Sequence, residues 1–166
     1  MPVTVIQMPN LENVSKEYLS CSEYIEQMKP MDKGSYRRQK QNYRLKEEIV
    51  NLLKEFEDEY VIVAVFADWC GDARRAIPVL ALLEEKTNFE IRAFGGMTKP
   101  PRGAGGFWAV PPSPVEVDTF EITSSPTILI FEKETQEEIG RIKTRPKMTP
   151  TLEEEILMII NDYSSD

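Results

Sequence analysis

V-I-V-A-V-F-A-D-W-C-G-D-A-R-R-A-I-P, Val61 to Pro78, is the stretch on which the fold turns. Six apolar residues, Val61 to Phe66, follow one another without alternation, the pattern of a strand covered on both faces. The run ends at the polar tip Asp68-Trp69-Cys70-Gly71, after which Ala73, Ala76, Leu80 and Leu83 recur at helical spacing. A strand passing so quickly into a helix puts the Cys70 thiol at or just before a helix N-terminus. Unpaired backbone N–H groups and the positive end of the helix dipole favour an anion there, and Arg74 and Arg75 add positive charge, so the thiolate gains. Asp72 works against it, as a carboxylate beside the same sulfur.

Beyond this stretch, Pro78 falls inside the helical pattern and predicts a kink, because it removes one backbone hydrogen bond and crowds the carbonyl of Arg74. Phe89 to Phe94 reads as a strand parallel to the first, closing a right-handed βαβ unit. Gly95 to Pro114 is too rich in glycine and proline for a regular element and lacks the G-K-[ST] ending of a phosphate-binding loop. Phe107 and Trp108 at its tip are costly to leave bare and are expected to pack at the rim of the active site. Val117 to Ile122 leads into Ser124-Ser125-Pro126 and then Thr127 to Phe131, a β-rich run. The polar turn Lys133 to Gln136 joins it to Glu138 to Lys143 as an antiparallel hairpin. A last helix carries Leu152, Ile156, Ile159 and Ile160 on one face. Its start is either Thr149 as N-cap with Pro150 at the first helical position, or Thr151 with Glu154 as a capping box.

Upstream, Val3 to Gln7 allows an edge strand. Val14, Tyr18, Cys21 and Ile25 share one face of a helix reaching Met28, which turns Cys21 inward as a core residue. Lys29 to Gly34 breaks that helix. A longer one is expected from Ser35 to Phe56, with Tyr36, Tyr43, Ile49, Val50, Leu52, Leu53 and Phe56 as its apolar stripe. The basic cluster Arg37, Arg38, Lys40, Arg44 and Lys46 reads as a solvated face, and so does the acidic run Glu55 to Glu59.

The totals narrow the function. The 166 residues suit one domain with a single core. A net charge of −8 disfavours nucleic acid and anionic membrane as partners. There is no apolar run long enough to span a bilayer. The N-terminus has no leader pattern, so a cytoplasmic location is expected. With no histidine, Ser-His-Asp and Cys-His catalysis are excluded, along with the commonest metal ligand. The two cysteines, Cys21 and Cys70, make neither a disulfide framework nor a C-x-x-C pair, so no metal and no cofactor is expected.

Trp69-Cys70-Gly71, Pro78 eight residues after the cysteine, and Ser125-Pro126-Thr127 opening a later apolar strand together resemble the thioredoxin family. The usual motif is W-C-G-P-C. Here Asp72 and Ala73 take the fourth and fifth places, so the chain is similar to thioredoxin-like proteins carrying W-C-G-D, with the second cysteine absent. The resemblance runs from about Glu59 to Asp162. It implies an α/β thioredoxin-like fold, a central mixed sheet flanked by helices. The single domain, 1–166, would comprise an N-terminal helical extension, 1–58, and a core, 59–162.

The resemblance also implies Cys70 as the catalytic nucleophile, supported by Trp69, Gly71, Asp72, Ala73 and Arg74. Pro126 resembles the cis-proline that faces the active cysteine in this family. It would present the Ser125 backbone to an extended substrate, with Phe107 and Trp108 completing the substrate-binding face. Ala64 is a further departure, since thioredoxins place a buried carboxylate there to assist the resolving cysteine. Two classes of function remain. One is a monothiol thiol-disulfide oxidoreductase acting on protein or low-molecular-weight disulfides and thiols, resolved by an external thiol or a distant cysteine. The other is a redox-silent binding module for a protein or peptide.

Overall fold

A computed structural model describes residues 8–165, so the edge strand expected at Val3 to Gln7 lies outside the described residues. Its elements are α1 (Cys21–Gln27), α2 (Pro30–Asn42), α3 (Glu47–Lys54), β1 (Tyr60–Val65), α4 (Gly71–Lys86), β2 (Glu90–Phe94), α5 (Glu116–Thr119), β3 (Thr127–Glu132), β4 (Glu138–Lys143) and α6 (Leu152–Ser164). The strands lie in the order β2-β1-β3-β4, with β1 parallel to β2 and antiparallel to β3, and β3 antiparallel to β4. The βαβ unit, the hairpin and the closing helix therefore fall where the periodicity puts them.

Every residue of β1 is buried, because the sheet is covered on both faces. Successive side chains of a strand point to opposite faces. Ile62 and Ala64 join a core with Cys21, Ile25, Tyr36, Leu53 and the inner faces of α4 and α6. Val61, Val63 and Val65 join a second core with Leu11, Val14, Met97, Val117, Phe120 and Ile122. The N-terminal helices thus bury their apolar faces in the same core as α4 and α6.

Several boundaries differ from expectation, some through a tertiary contact and some through local capping. No helix starts at Val14. That residue packs on the opposite side of the sheet from Ile25, and the Leu19 carbonyl accepts the Ala93 N–H at 2.8 Å as an antiparallel bridge to β2. α1 begins only at Cys21, where Ser20 and Glu23 form a capping box. Pro30 opens a helix instead of ending one, since its missing N–H costs nothing at the first helical position.

The long helix expected from Ser35 to Phe56 is two, interrupted between Asn42 and Glu47. Glu153 on α6 holds the break, accepting the Lys46 N–H at 3.0 Å and the Tyr43 hydroxyl at 2.7 Å. Leu52 leaves the apolar stripe and is exposed. The segment Val117 to Ile122, which leads into the proline turn, begins within the short helix α5. Thr151, not Thr149, is the N-cap of α6, accepting the Glu154 N–H at 3.3 Å.

The basic cluster is largely neutralised by neighbours. Arg37 meets Glu26 at 2.6 Å, Lys40 meets Glu85 at 2.6 Å, and Lys46 pairs with Glu154. Among the described residues no helix is long and apolar enough to cross a membrane.

Candidate active site around Cys70

The buried β1 ends after Val65, and the chain crosses Asp68 and Trp69 to Cys70, which is the N-cap residue of α4. The Cys70 N–H donates to the Ala67 carbonyl at 3.1 Å, and its own carbonyl accepts the Arg74 N–H at 3.1 Å. The residue is partly exposed, and its thiol donates to the Ser125 carbonyl oxygen at 3.2 Å. The Ser125–Pro126 bond is cis. The Ser125 hydroxyl accepts the Ala67 N–H at 2.8 Å, so the end of β1 and the approach to β3 are tied at the sulfur.

Around this centre, Trp69 is about half exposed, at 49%. The Arg74 guanidinium donates to the Trp69 carbonyl at 2.7 Å, and the Lys99 ammonium lies over the Trp69 ring, 5.3 Å from its centroid. The Trp108 ring is 6.3 Å from that of Trp69, which puts Trp108 at the rim. Its indole N–H is buried without a hydrogen-bond partner. Phe107 does not follow; at 72% exposure it stands in solvent, because the loop turns at Gly105 and Gly106 with positive φ and carries Phe107 outward.

Asp72 pairs with Arg75 at 2.8 Å and Arg145 at 3.9 Å. Ala73 and Ala64 are fully buried, and Gly71 faces open space. A groove of about 460 Å³ starts at Gly71 and Asp72 and runs past Arg75, Thr144, Arg145 and Thr151.

The tip is held from behind by residues that the sequence reading did not assign to the site. The Asp68 carboxylate accepts the Tyr24 hydroxyl at 2.7 Å and the Gly96 N–H at 3.3 Å. The Asp68 carbonyl accepts the Tyr36 hydroxyl at 2.9 Å. Burial first, and then Asp68, push both tyrosine pKa values well up, so the hydroxyls stay protonated donors. Gly95 makes room for this arrangement, since a Cβ there would come within 2.0 Å of the Tyr24 hydroxyl. The glycine pair directly after β2 was the available signal, but only the tertiary fold shows which side chain fills the space.

Cys21 is fully enclosed, and burial followed by the nearby Glu84 carboxylate pushes its thiol pKa up. Among the described residues no cluster of three or more cysteine, aspartate and glutamate side chains is placed to hold a metal ion.

A βαβ unit followed by a ββα unit in one mixed sheet, with a cysteine capping the crossover helix opposite a cis-proline turn, is a thioredoxin-like fold. A family model described as Thioredoxin matches residues 18–95, so this stretch of the chain is similar to the thioredoxin family. The match begins in the segment before α1, includes α1 to α3, and ends before the Trp108 loop and Pro126.

Two solved structures share the fold. A protein of unknown function from Pseudomonas aeruginosa is 15% identical with a TM-score of 0.66, over 88% of this chain and 93% of that one. An HIV epitope-scaffold is 14% identical with a TM-score of 0.63, over 87% and 93%. At such identities these likenesses establish the fold alone. No curated protein matches the chain.

Proposed function

We propose that this protein is a monothiol thiol-disulfide oxidoreductase acting through Cys70 on protein or low-molecular-weight disulfides. The observation that carries this reading is the position of the partly exposed Cys70 sulfur, at the start of α4 and 3.2 Å from the Ser125 carbonyl. As a thiolate the sulfur can no longer donate to that carbonyl. The freed oxygen can then accept a backbone N–H from an extended substrate segment, aligning a disulfide at the nucleophile.

In the exchange, the Cys70 thiolate attacks one sulfur of the disulfide. A Cys70–S bond forms, the substrate S–S bond breaks, and the departing half leaves as a thiolate that takes a proton from solvent. Cys70 is oxidised and the departing sulfur is reduced. Ala73 stands where a dithiol enzyme has its resolving thiol, and Cys21 is enclosed in the core. An external low-molecular-weight thiolate therefore attacks the bound half of the mixed disulfide, forming a new disulfide with it as the Cys70–S bond breaks and Cys70 leaves as the thiolate.

The test is turnover of hydroxyethyl disulfide with excess low-molecular-weight thiol as reductant. The protein should exceed the uncatalysed rate, and Cys70→Ser should return it to background. A wild-type rate equal to background would remove the reading. The alternative binding module draws support from the half-exposed Trp69 next to Cys70, with the Trp108 ring 6.3 Å from it, a surface that could hold an apolar partner without redox chemistry.

A further inference from the structure

The chain as a whole carries a net charge of −8, yet the surroundings of Cys70 have the opposite sign. Arg74 sits on the Trp69 carbonyl, Lys99 over the Trp69 ring, and Arg75 and Arg145 both reach Asp72. Asp68, the other acid of the tip, is turned onto the Tyr24 hydroxyl and the Gly96 N–H. Two guanidinium groups on one carboxylate leave a positive charge over in the groove lined by Gly71 and Asp72, the two residues that follow Cys70. Both are largely exposed, at 73% and 69%, and are free to swing toward a ligand. The groove floor is apolar, built from Ala76, Val79 and Leu152, and its volume of about 460 Å³ is of small-molecule size.

The placement of Arg145 has a specific cause. Thr144 before it has φ 71, a conformation that β-branched residues avoid. It is held there by its N–H, which donates to the Pro126 carbonyl at 2.7 Å. Arg145 is thus positioned through the same proline turn that faces Cys70.

Resting on the exchange reading above, we infer that the groove selects low-molecular-weight disulfides that carry a carboxylate near the sulfur. The carboxylate of one half meets Arg75 and Arg145, displacing part of their pairing with Asp72, while the sulfur of that half is attacked by the Cys70 thiolate. The Cys70–S bond forms on the acidic half, the S–S bond breaks, and the other half leaves as a thiolate and takes up a solvent proton. An external low-molecular-weight thiolate then attacks the sulfur of the acidic half: a new low-molecular-weight disulfide forms and departs, the Cys70–S bond breaks, and Cys70 is restored as the thiolate.

The experiment measures the rate of the Cys70 adduct, by mass spectrometry on the full chain, with dithiodipropionate (anionic), hydroxyethyl disulfide (neutral) and cystamine (cationic). Each rate is divided by that of mercaptoethanol with the same disulfide, which removes the intrinsic reactivity of the reagent. The normalised anion-to-cation ratio should be about fivefold or more, and should fall toward one at high salt and in the Arg75→Gln/Arg145→Gln variant. Because the result is a ratio, a general change in Cys70 reactivity cancels. A ratio near one in the wild type, or one that neither salt nor the double variant changes, overturns the inference while leaving exchange intact. No adduct with any of the three disulfides overturns the exchange reading itself.

Discussion

Cys21 and Cys70 both stand at the start of a helix, Cys21 as the first residue of α1 and Cys70 as the N-cap of α4. The helix dipole offers each the same help, and yet their surroundings are opposed. At α1 the helix end is already taken. The Glu84 carboxylate accepts the N–H groups of Cys21 at 2.8 Å and Ser22 at 2.9 Å, and the thiol faces only core. At α4 the sulfur is partly exposed, the neighbouring Trp69 carries Arg74 on its carbonyl and Lys99 over its ring, and the thiol donates to the Ser125 carbonyl in the cis-proline turn. A helix start makes a reactive thiol only where it is open to solvent and no carboxylate has taken its amides.

Alkylation would show the largest effect. Cys21 is reached only through an unfolding-scale opening, so in native protein Cys70 should be labelled by iodoacetamide roughly a thousandfold faster or more. Peptide mapping that finds comparable rates would erase the contrast. A second, smaller effect concerns resolution. Ala73→Cys would place a thiol in the first turn of α4, within C-x-x-C reach of Cys70. A mixed disulfide on Cys70 should then be released at least about tenfold faster at low external thiol, because the second thiol acts intramolecularly. An unchanged adduct lifetime, with both thiols titrating as free, would mean that the α4 start does not have dithiol-compatible geometry.

The contrast between the two cysteines was partly legible in the sequence. Cys21 reads as inward from its spacing with Ile25, and Cys70 reads as a helix start from the change of period after Phe66. The unbroken apolar run of β1, the 127–143 hairpin and the α6 face are local patterns, and they form where they were expected. Two of the misread boundaries have non-local causes. Nothing in N-Y-R-L-K, Asn42 to Lys46, announces a helix break; it is held by Glu153, over a hundred residues away. Val14 and Tyr18 match a helical face by spacing alone, while the Leu19 bridge to Ala93 pulls the segment straight. The clamp on Asp68 joins Tyr24, Tyr36 and Gly96 from three separate parts of the chain, and no periodicity reports it.

That clamp distinguishes the Cys70 end of the molecule energetically, and Gly95→Ala should break it. The added methyl would overlap the Tyr24 hydroxyl and crowd Asp68, costing about 2–3 kcal/mol in chemical denaturation through overpacking and a lost charge-assisted hydrogen bond. A loss below about 0.5 kcal/mol would show that Tyr24 moves aside freely, and the support behind Cys70 would have to be assigned elsewhere.

Tyr36→Phe has the smallest expected effect at neutral pH, about 1–2 kcal/mol, from leaving the Asp68 carbonyl without its donor. It also carries a pH signature. The folded pKa of Tyr36 lies above the unfolded value, so its contribution is fully present below about pH 10 and is lost as pH rises toward the folded value, at about 1.4 kcal/mol per pH unit. Removing the hydroxyl should flatten the alkaline fall in stability by that slope. An identical alkaline profile in the variant would contradict the buried, protonated donor.

The central claim is that Cys70 alone exchanges disulfides and that no thiol within the chain resolves it. Its most direct test is intact-mass and peptide mapping of the wild-type protein after brief exposure to hydroxyethyl disulfide and removal of the excess reagent. The predicted result is a single adduct on Cys70 that persists until external thiol is added and then leaves to restore the free cysteine. An internal Cys21–Cys70 disulfide with loss of the adduct, or the absence of any adduct on Cys70, would contradict it.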